Sequence, residues 1–121
     1  MLKILIVDDS PTIVQVLKNG LEDKGRQIIT SNNGADALNI VRKEKPSLVI
    51  LDLMLPKLDG FHVCTMIKKD ASLSSTKVLM LTGRADKESE ETGLKCGADK
   101  FITKNVNPQE IISAAEDLIQ A

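Results

Sequence analysis

The feature that most constrains this chain is an alternation of two periods. Five short apolar runs are each followed by a stretch in which apolar residues recur every three or four positions. The runs are Leu2 to Val7, Gln27 to Thr30, Leu48 to Leu51, Val78 to Leu81, and Phe101 with Ile102. The order reads βαβαβαβαβα, with no linker and no low-complexity segment. Strands that alternate with helices predict a parallel sheet, right-handed crossovers and helices on both faces. Leu48 to Leu51 and Val78 to Leu81 have no polar side at all, which is what a central strand buried on both faces requires.

The helix boundaries carry their own signals. Ser10 and Pro11 supply an N-cap and a proline at the first helical position. Ile13, Val16, Leu17 and Leu21 follow at helical spacing, and Gly25 closes the segment. Asn32 or Asn33 can cap a second helix with Ala37, Leu38 and Val41 facing inward, and Pro46 ends that connection. Asp59 can cap a third carrying Val63, Cys64, Met66 and Ile67. Residues 86 to 96 have little apolar content beyond Leu94 and form the weakest helical pattern. Asn107, Pro108 and Glu110 give a cap, an initial proline and a capping-box carboxylate ahead of Ile111, Ile112, Ala115, Leu118 and Ile119.

The totals remove several functions. A chain of 121 residues with 42% hydrophobic and 27% charged content suits one folded domain, residues 1–121. A formal net charge of -1 leaves no footprint for DNA, RNA or anionic membrane. With two Phe and neither Tyr nor Trp, base-stacking surfaces are not expected. Cys64 and Cys96 match no metal-binding spacing and read as reduced thiols. The opening apolar run stops at two aspartates, too early for a signal peptide, and no stretch reaches the ~20 apolar residues of a membrane span. No membrane insertion and a cytoplasmic location are the expectation.

In doubly wound sheets, chemistry gathers beyond the carboxyl ends of the strands. Here the first strand ends in Asp8, Asp9 and Ser10, the third in Asp52, the fourth in Thr82 and Gly83, and the fifth runs into Thr103 and Lys104. The second ends in Ser31-Asn32-Asn33, without a charge. Taken singly these residues have plain roles: an aspartate before Ser10 can cap a helix, Lys104 can be a surface lysine, Thr82 can end a strand. Together they place three acids, a hydroxyl and a lysine at one sheet edge. Clustered carboxylates raise one another's pKa unless a cation is present. Lys104 supplies one charge, and Mg2+ suits the remaining oxygen ligands. An aspartate so held is a plausible nucleophile toward phosphorus. Thr82 can hydrogen-bond a phosphoryl oxygen, and Gly83 leaves it room.

The segments ILIVDDS, VILDLMLPKLDG, VLMLTGRAD and GADKFITK resemble the receiver domain of two-component response regulators across essentially the whole chain. The resemblance implies a flavodoxin-like (βα)5 fold with a five-stranded parallel sheet of order 2-1-3-4-5. It also implies phosphoryl transfer from a histidine kinase's phosphohistidine, or from a phosphotransfer protein. Asp52 resembles the phosphoacceptor and Asp9 the direct Mg2+ ligand, with Asp8 acting through water. The backbone carbonyl of Met54 resembles the third protein ligand. Thr82 resembles the switch hydroxyl, Lys104 the lysine that pairs with the phosphoryl group, and Phe101 the switch aromatic. Pro56, Asp59 and Gly60 match the loop and helix start after the phosphorylation site. The family usually has proline after its lysine; here it is Asn105. A cis bond without proline costs roughly 2.5–4 kcal/mol, so a trans Lys104–Asn105 peptide is expected. Met54, Gly83 and Arg84 flank the pocket and are expected to tune the acyl phosphate's lifetime. His62, the lone histidine, reads as an exposed bystander.

The function so implied is a phosphorylation-controlled switch. Its readout is the face of the fourth helix, fifth strand and fifth helix, bound by a downstream protein or a second receiver. It is expected to be a phosphoacceptor signalling domain rather than a turnover enzyme, with self-catalysed transfer and autodephosphorylation. The alternative is a Mg2+-dependent phosphohydrolase of haloacid-dehalogenase type. That chemistry needs a second acid two residues after the nucleophile, where this chain has Met54, and a substrate pocket for which little room is expected. No Gly-rich nucleotide loop follows any strand. The sequence fits both a stand-alone receiver and a piece of a longer protein.

Overall fold

A computed structural model of the chain describes residues 2–22, 25–55, 57–83 and 87–120. Pro56 and Arg84, singled out above, lie outside the described residues. The elements are β1 (Leu2–Val7), α1 (Pro11–Leu21), β2 (Arg26–Ser31), α2 (Gly34–Glu44), β3 (Leu48–Asp52), α3 (Gly60–Lys69), β4 (Lys77–Thr82), α4 (Lys87–Lys95), β5 (Lys100–Thr103) and α5 (Pro108–Gln120). A 3-10 turn, Ala71–Leu73, precedes β4. The five strands are parallel, in the order β2-β1-β3-β4-β5. This is the doubly wound, flavodoxin-like arrangement expected.

Successive side chains of a strand point to opposite faces, and that sorts the core into two layers. Ile4, Ile6, Leu48, Ile50, Leu79 and Leu81 pack against Leu17 and Leu21 of α1 and Ile111 and Ala115 of α5. Leu5, Val7, Val49, Leu51, Val78 and Met80 pack against Ala37 and Val41 of α2 and Val63, Cys64 and Ile67 of α3. Every residue of β3 is buried, Asp52 included. By parity, Asp52 ends the row of Leu48 and Ile50, and Thr82 ends the row of Val78 and Met80.

The caps form as the side-chain chemistry dictates. Ser10, Asn33 and Asp59 accept hydrogen bonds from the backbone N–H groups of Ile13, Asp36 and His62. Several details differ from the sequence reading. The first helix ends at Leu21 with Glu22 as its cap, ahead of Gly25. Val16 points to solvent, 36% exposed, because the contact stripe of this short helix is filled by Leu17 and Leu21. Leu94 is 49% exposed and does not anchor α4; the buried position of that helix is Gly93. A Cβ on Gly93 would stand 2.8 Å from Phe101 Cδ2 and 3.1 Å from Met80 Sδ, so the helix packs through bare backbone. At α5, Asn107 Oδ1 accepts from the Gln109 N–H, while the exposed Glu110 carboxylate closes no capping box.

Candidate functional site

Parallel strands of matched register end together, so their terminal residues meet at one edge. Asp8 follows β1, Asp52 ends β3, Thr82 ends β4, and Lys104 follows β5. One carboxylate oxygen from each of Asp8, Asp9 and Asp52 lies within 4.8 Å of the other two. Asp8 and Asp52 are both 3% exposed, whereas Asp9 is open to solvent. Thr82 is fully buried, and its carbonyl accepts the Lys104 N–H at 2.6 Å, which fixes the lysine backbone beside the threonine.

The lysine side chain then reaches across the edge. Its Nζ is 2.8 Å from Asp8 Oδ2 and 3.1 Å from Asp52 Oδ2. This double pairing was not legible in the sequence, because it depends on the spacing of three strands. The Lys104–Asn105 peptide is trans, as expected, and the Thr103 hydroxyl donates to Asn105 Oδ1 in the same turn.

Local backbone geometry holds Asp52. Its Oδ1 accepts the Met54 N–H at 3.3 Å. The Gly60 N–H donates to the Leu53 carbonyl at 3.1 Å, laying the start of α3 against the strand end. A Cβ on Gly60 would fall 2.5 Å from the Asp52 carbonyl oxygen, so that approach needs glycine. Within the same loop, Lys57 takes a left-handed φ of 69°, a turn that nothing in its side chain advertises.

The electrostatics follow from burial. Burial pushes the Asp52 carboxyl above the usual carboxylate range; the charge of Asp8 adds to this, and Lys104 and the Met54 N–H pull back. Burial pulls Lys104 down, but its contact with Asp8 and the charges of Asp52 and Asp8 together outweigh that and hold it above its ordinary value. Two buried carboxylates thus share one ammonium, with the third, Asp9, beside them. Asp8 Oδ2 is buried and has the ammonium nearby, yet no hydrogen-bond donor is aligned on it. An all-oxygen cluster of three carboxylates, with more negative charge than one ammonium offsets, fits a hard divalent cation such as Mg2+.

The other residues singled out fall around this centre. Met54 is 62% exposed beside Asp52. Gly83 is exposed, and a Cβ there would meet nothing within 4 Å. Phe101 is half-buried against the α2–α3 side of the core, under Gly93. His62 is exposed. A groove of about 530 Å³ runs from Asp8 and Asp9 between α1 and α2, lined also by Thr30, Asn32, Asp36 and Asn39. There is therefore more room beside the acids than the sequence suggested, but Asp52, Thr82 and Lys104 do not line it.

Comparison with known proteins gives a consistent result. Residues 4–116 match the response regulator receiver domain family. A probable transcriptional regulator, ycf27 of Porphyra purpurea, is 44% identical over 109 residues, which cover 90% of this chain and 44% of that protein. Protein PilH of Pseudomonas aeruginosa is 36% identical over 112 residues, covering 93% of each. The chain thus spans less than half of the first relative and nearly all of the second. Among solved structures, the BeF3-activated receiver domain of DrrB, from Thermotoga maritima, is 35% identical, with a TM-score of 0.89 and coverage of 100% of this chain and 99% of that one. Among the described residues, no helix is long and apolar enough to cross a membrane.

Proposed function

The chain belongs to the response regulator receiver domain family, and on that premise we propose that Asp52 accepts a phosphoryl group from a phosphohistidine of a sensor kinase or phosphotransfer protein. The observation that carries this is a carboxylate 3% exposed at a strand end, 3.1 Å from a lysine and clustered with two further acids. An Asp52 oxygen attacks phosphorus; the O–P bond forms as the P–N bond breaks, and the imidazole leaves carrying a proton. Asp9, Asp8 through water, Asp52 and the Met54 carbonyl would hold Mg2+, which supplies positive charge against the acids and the phosphoryl oxygens. Burial fixes the nucleophile and excludes competing water. Lys104 pairs with the incoming oxygens.

The phosphorylated site carries more negative charge than the free one, so groups that can approach it favour one of two conformations. The Thr82 hydroxyl moves toward the phosphoryl group, and Phe101 fills the space vacated. Because Phe101 lies beneath Gly93, this motion alters how α4 sits on β5. The signal is read on the α4–β5–α5 face by a downstream protein or a second receiver. Met54, Gly83 and Arg84 set how quickly water reaches the acyl phosphate. This is a signalling role rather than turnover of a small substrate, with no direct contact to nucleic acid.

Acetyl phosphate with Mg2+ separates the switch from a phosphohydrolase. The expected result is one phosphoryl group per chain, lost slowly, and a lifetime altered by Met54→Ala or Arg84→Ala. Continuous release of phosphate at many turnovers per minute would favour the haloacid-dehalogenase reading. Unchanged lifetimes in both variants would remove the tuning role.

A further inference from the structure

The α4–β5–α5 face contains a groove of about 500 Å³ whose charge distinguishes between possible partners. Its floor is apolar, formed by Phe101, Ile102, Val106 and Ala114. Its rim carries three exposed carboxylates, Glu90 of α4 and Glu110 and Asp117 of α5, against a single ammonium, Lys100. None of the four takes part in an ion pair among the described residues; the neighbouring Glu116 does, bound bidentately by Arg26 at 2.7 and 2.6 Å. α5 has no lysine or arginine anywhere along Pro108–Gln120.

A second copy of this chain docked on the same face by two-fold symmetry would bring together two faces that each carry three carboxylates and a single lysine. Like charges brought together across an interface disfavour that partner. Nucleic acid and anionic lipid are disfavoured for the same reason. We propose that the groove takes a cationic, amphipathic segment of a different protein, with apolar side chains on the Phe101–Ala114 floor and Lys or Arg against Glu90, Glu110 and Asp117. This rests on the receiver reading above and names the chemistry of its partner.

The test uses the whole chain and a fluorescent amphipathic peptide of leucine and lysine. A leucine–glutamate peptide of the same pattern and a serine–lysine peptide without apolar residues serve as comparisons. Binding is measured with and without acetyl phosphate, while intact mass reports labelling separately. The leucine–lysine peptide is expected to bind at least tenfold tighter than either comparison. Loss of two rim charges in Glu110→Gln/Asp117→Asn is expected to weaken it about fivefold. The control Glu22→Gln/Glu44→Gln, equal in charge but at the ends of α1 and α2, neither of which lines the groove, is expected to weaken it less than twofold. Equal loss in both double variants would reduce the effect to net charge and overturn the proposal. A phosphorylated homodimer in sedimentation, abolished by Ala114→Arg, would make the occupant a second copy and also overturn it. Failure of labelling with the peptide preference intact would count against the receiver reading alone.

Discussion

Asp52→Asn should make the protein more stable while removing its proposed function. The substitution keeps the side-chain shape and deletes one charge from a site with three acids and one lysine. Deleting that charge forfeits attraction to Lys104 at 3.1 Å, about 5 kcal/mol at an effective dielectric constant of about 20. It relieves repulsion from the buried Asp8, within 4.8 Å, by about 3 kcal/mol, and from the exposed, screened Asp9 by about 1 kcal/mol. It also removes the burial cost of an ionised group that is 3% exposed, which is several kcal/mol. The balance is a gain of about 1–2 kcal/mol, or about 4–8 °C in Tm for a chain of this length.

The sign agrees with the titration. A carboxyl held above its unfolded value of 3.8 keeps its proton more tightly in the folded state. Folding stability attributable to Asp52 therefore falls as pH rises from that value through the folded pKa. The advantage of the asparagine variant without divalent ions should grow as pH rises through the folded pKa and close as pH falls toward 3.8. Mg2+ at tenfold over its dissociation constant should raise the native chain by about 1.4 kcal/mol and the variant by much less. Calorimetry or thermal circular dichroism, with chelator and with Mg2+, reads all three. A variant that melts no higher than the native chain at pH 7 in chelator refutes the reasoning, as does an equal Mg2+ response in both.

Two further perturbations probe the same machinery. Lys104→Met keeps the aliphatic stem but leaves Asp8 and Asp52 without their ammonium, and should cost about 2–4 kcal/mol at pH 7 by denaturant unfolding. Because Lys104 is held above its ordinary 10.5, its stabilisation is complete below that pH and is lost as pH rises through the folded value. The native chain and the Lys104→Met variant should therefore differ up to about pH 10.5 and converge above it; a constant difference would show that the ion pairs are not the cause. Gly93→Ala places a methyl 2.8 Å from Phe101 Cδ2. Overpacking of about 1–3 kcal/mol, against about 1 kcal/mol of helix propensity gained, should leave a net loss of about 1 kcal/mol. Gly83→Ala, which meets nothing within 4 Å, should lose less, and equal losses would refute the contact between α4 and Phe101.

The fold was legible because two-sided burial leaves its mark on the inner strands, β1, β3 and β4. Leu48 to Leu51 and Val78 to Leu81 can be satisfied only in the middle of a covered sheet, and they lie there. Helix starts were legible where a short polar side chain precedes an apolar face, as at Ser10, Asn33 and Asp59. Helix faces were less so. Leu94 is the apolar residue of its segment and yet turns outward, because Gly93 gives the closer approach to Phe101. At the site, strand-end position was enough to gather Asp8, Asp9, Asp52, Thr82 and Lys104. The sharing of Lys104 between two buried acids, the glycine contact at Gly60 and the left-handed turn at Lys57 arise from distances between segments far apart in the chain, and periodicity carries no trace of those.

The most direct test is to trap the acyl phosphate chemically. After incubation with a phosphodonor and Mg2+, borohydride reduces an aspartyl phosphate to homoserine, and peptide mass spectrometry locates it. The account predicts homoserine at position 52 alone, and none in Asp52→Asn. Homoserine at position 8 or 9 in the native chain, or a labelled group at 52 that resists borohydride, would contradict it.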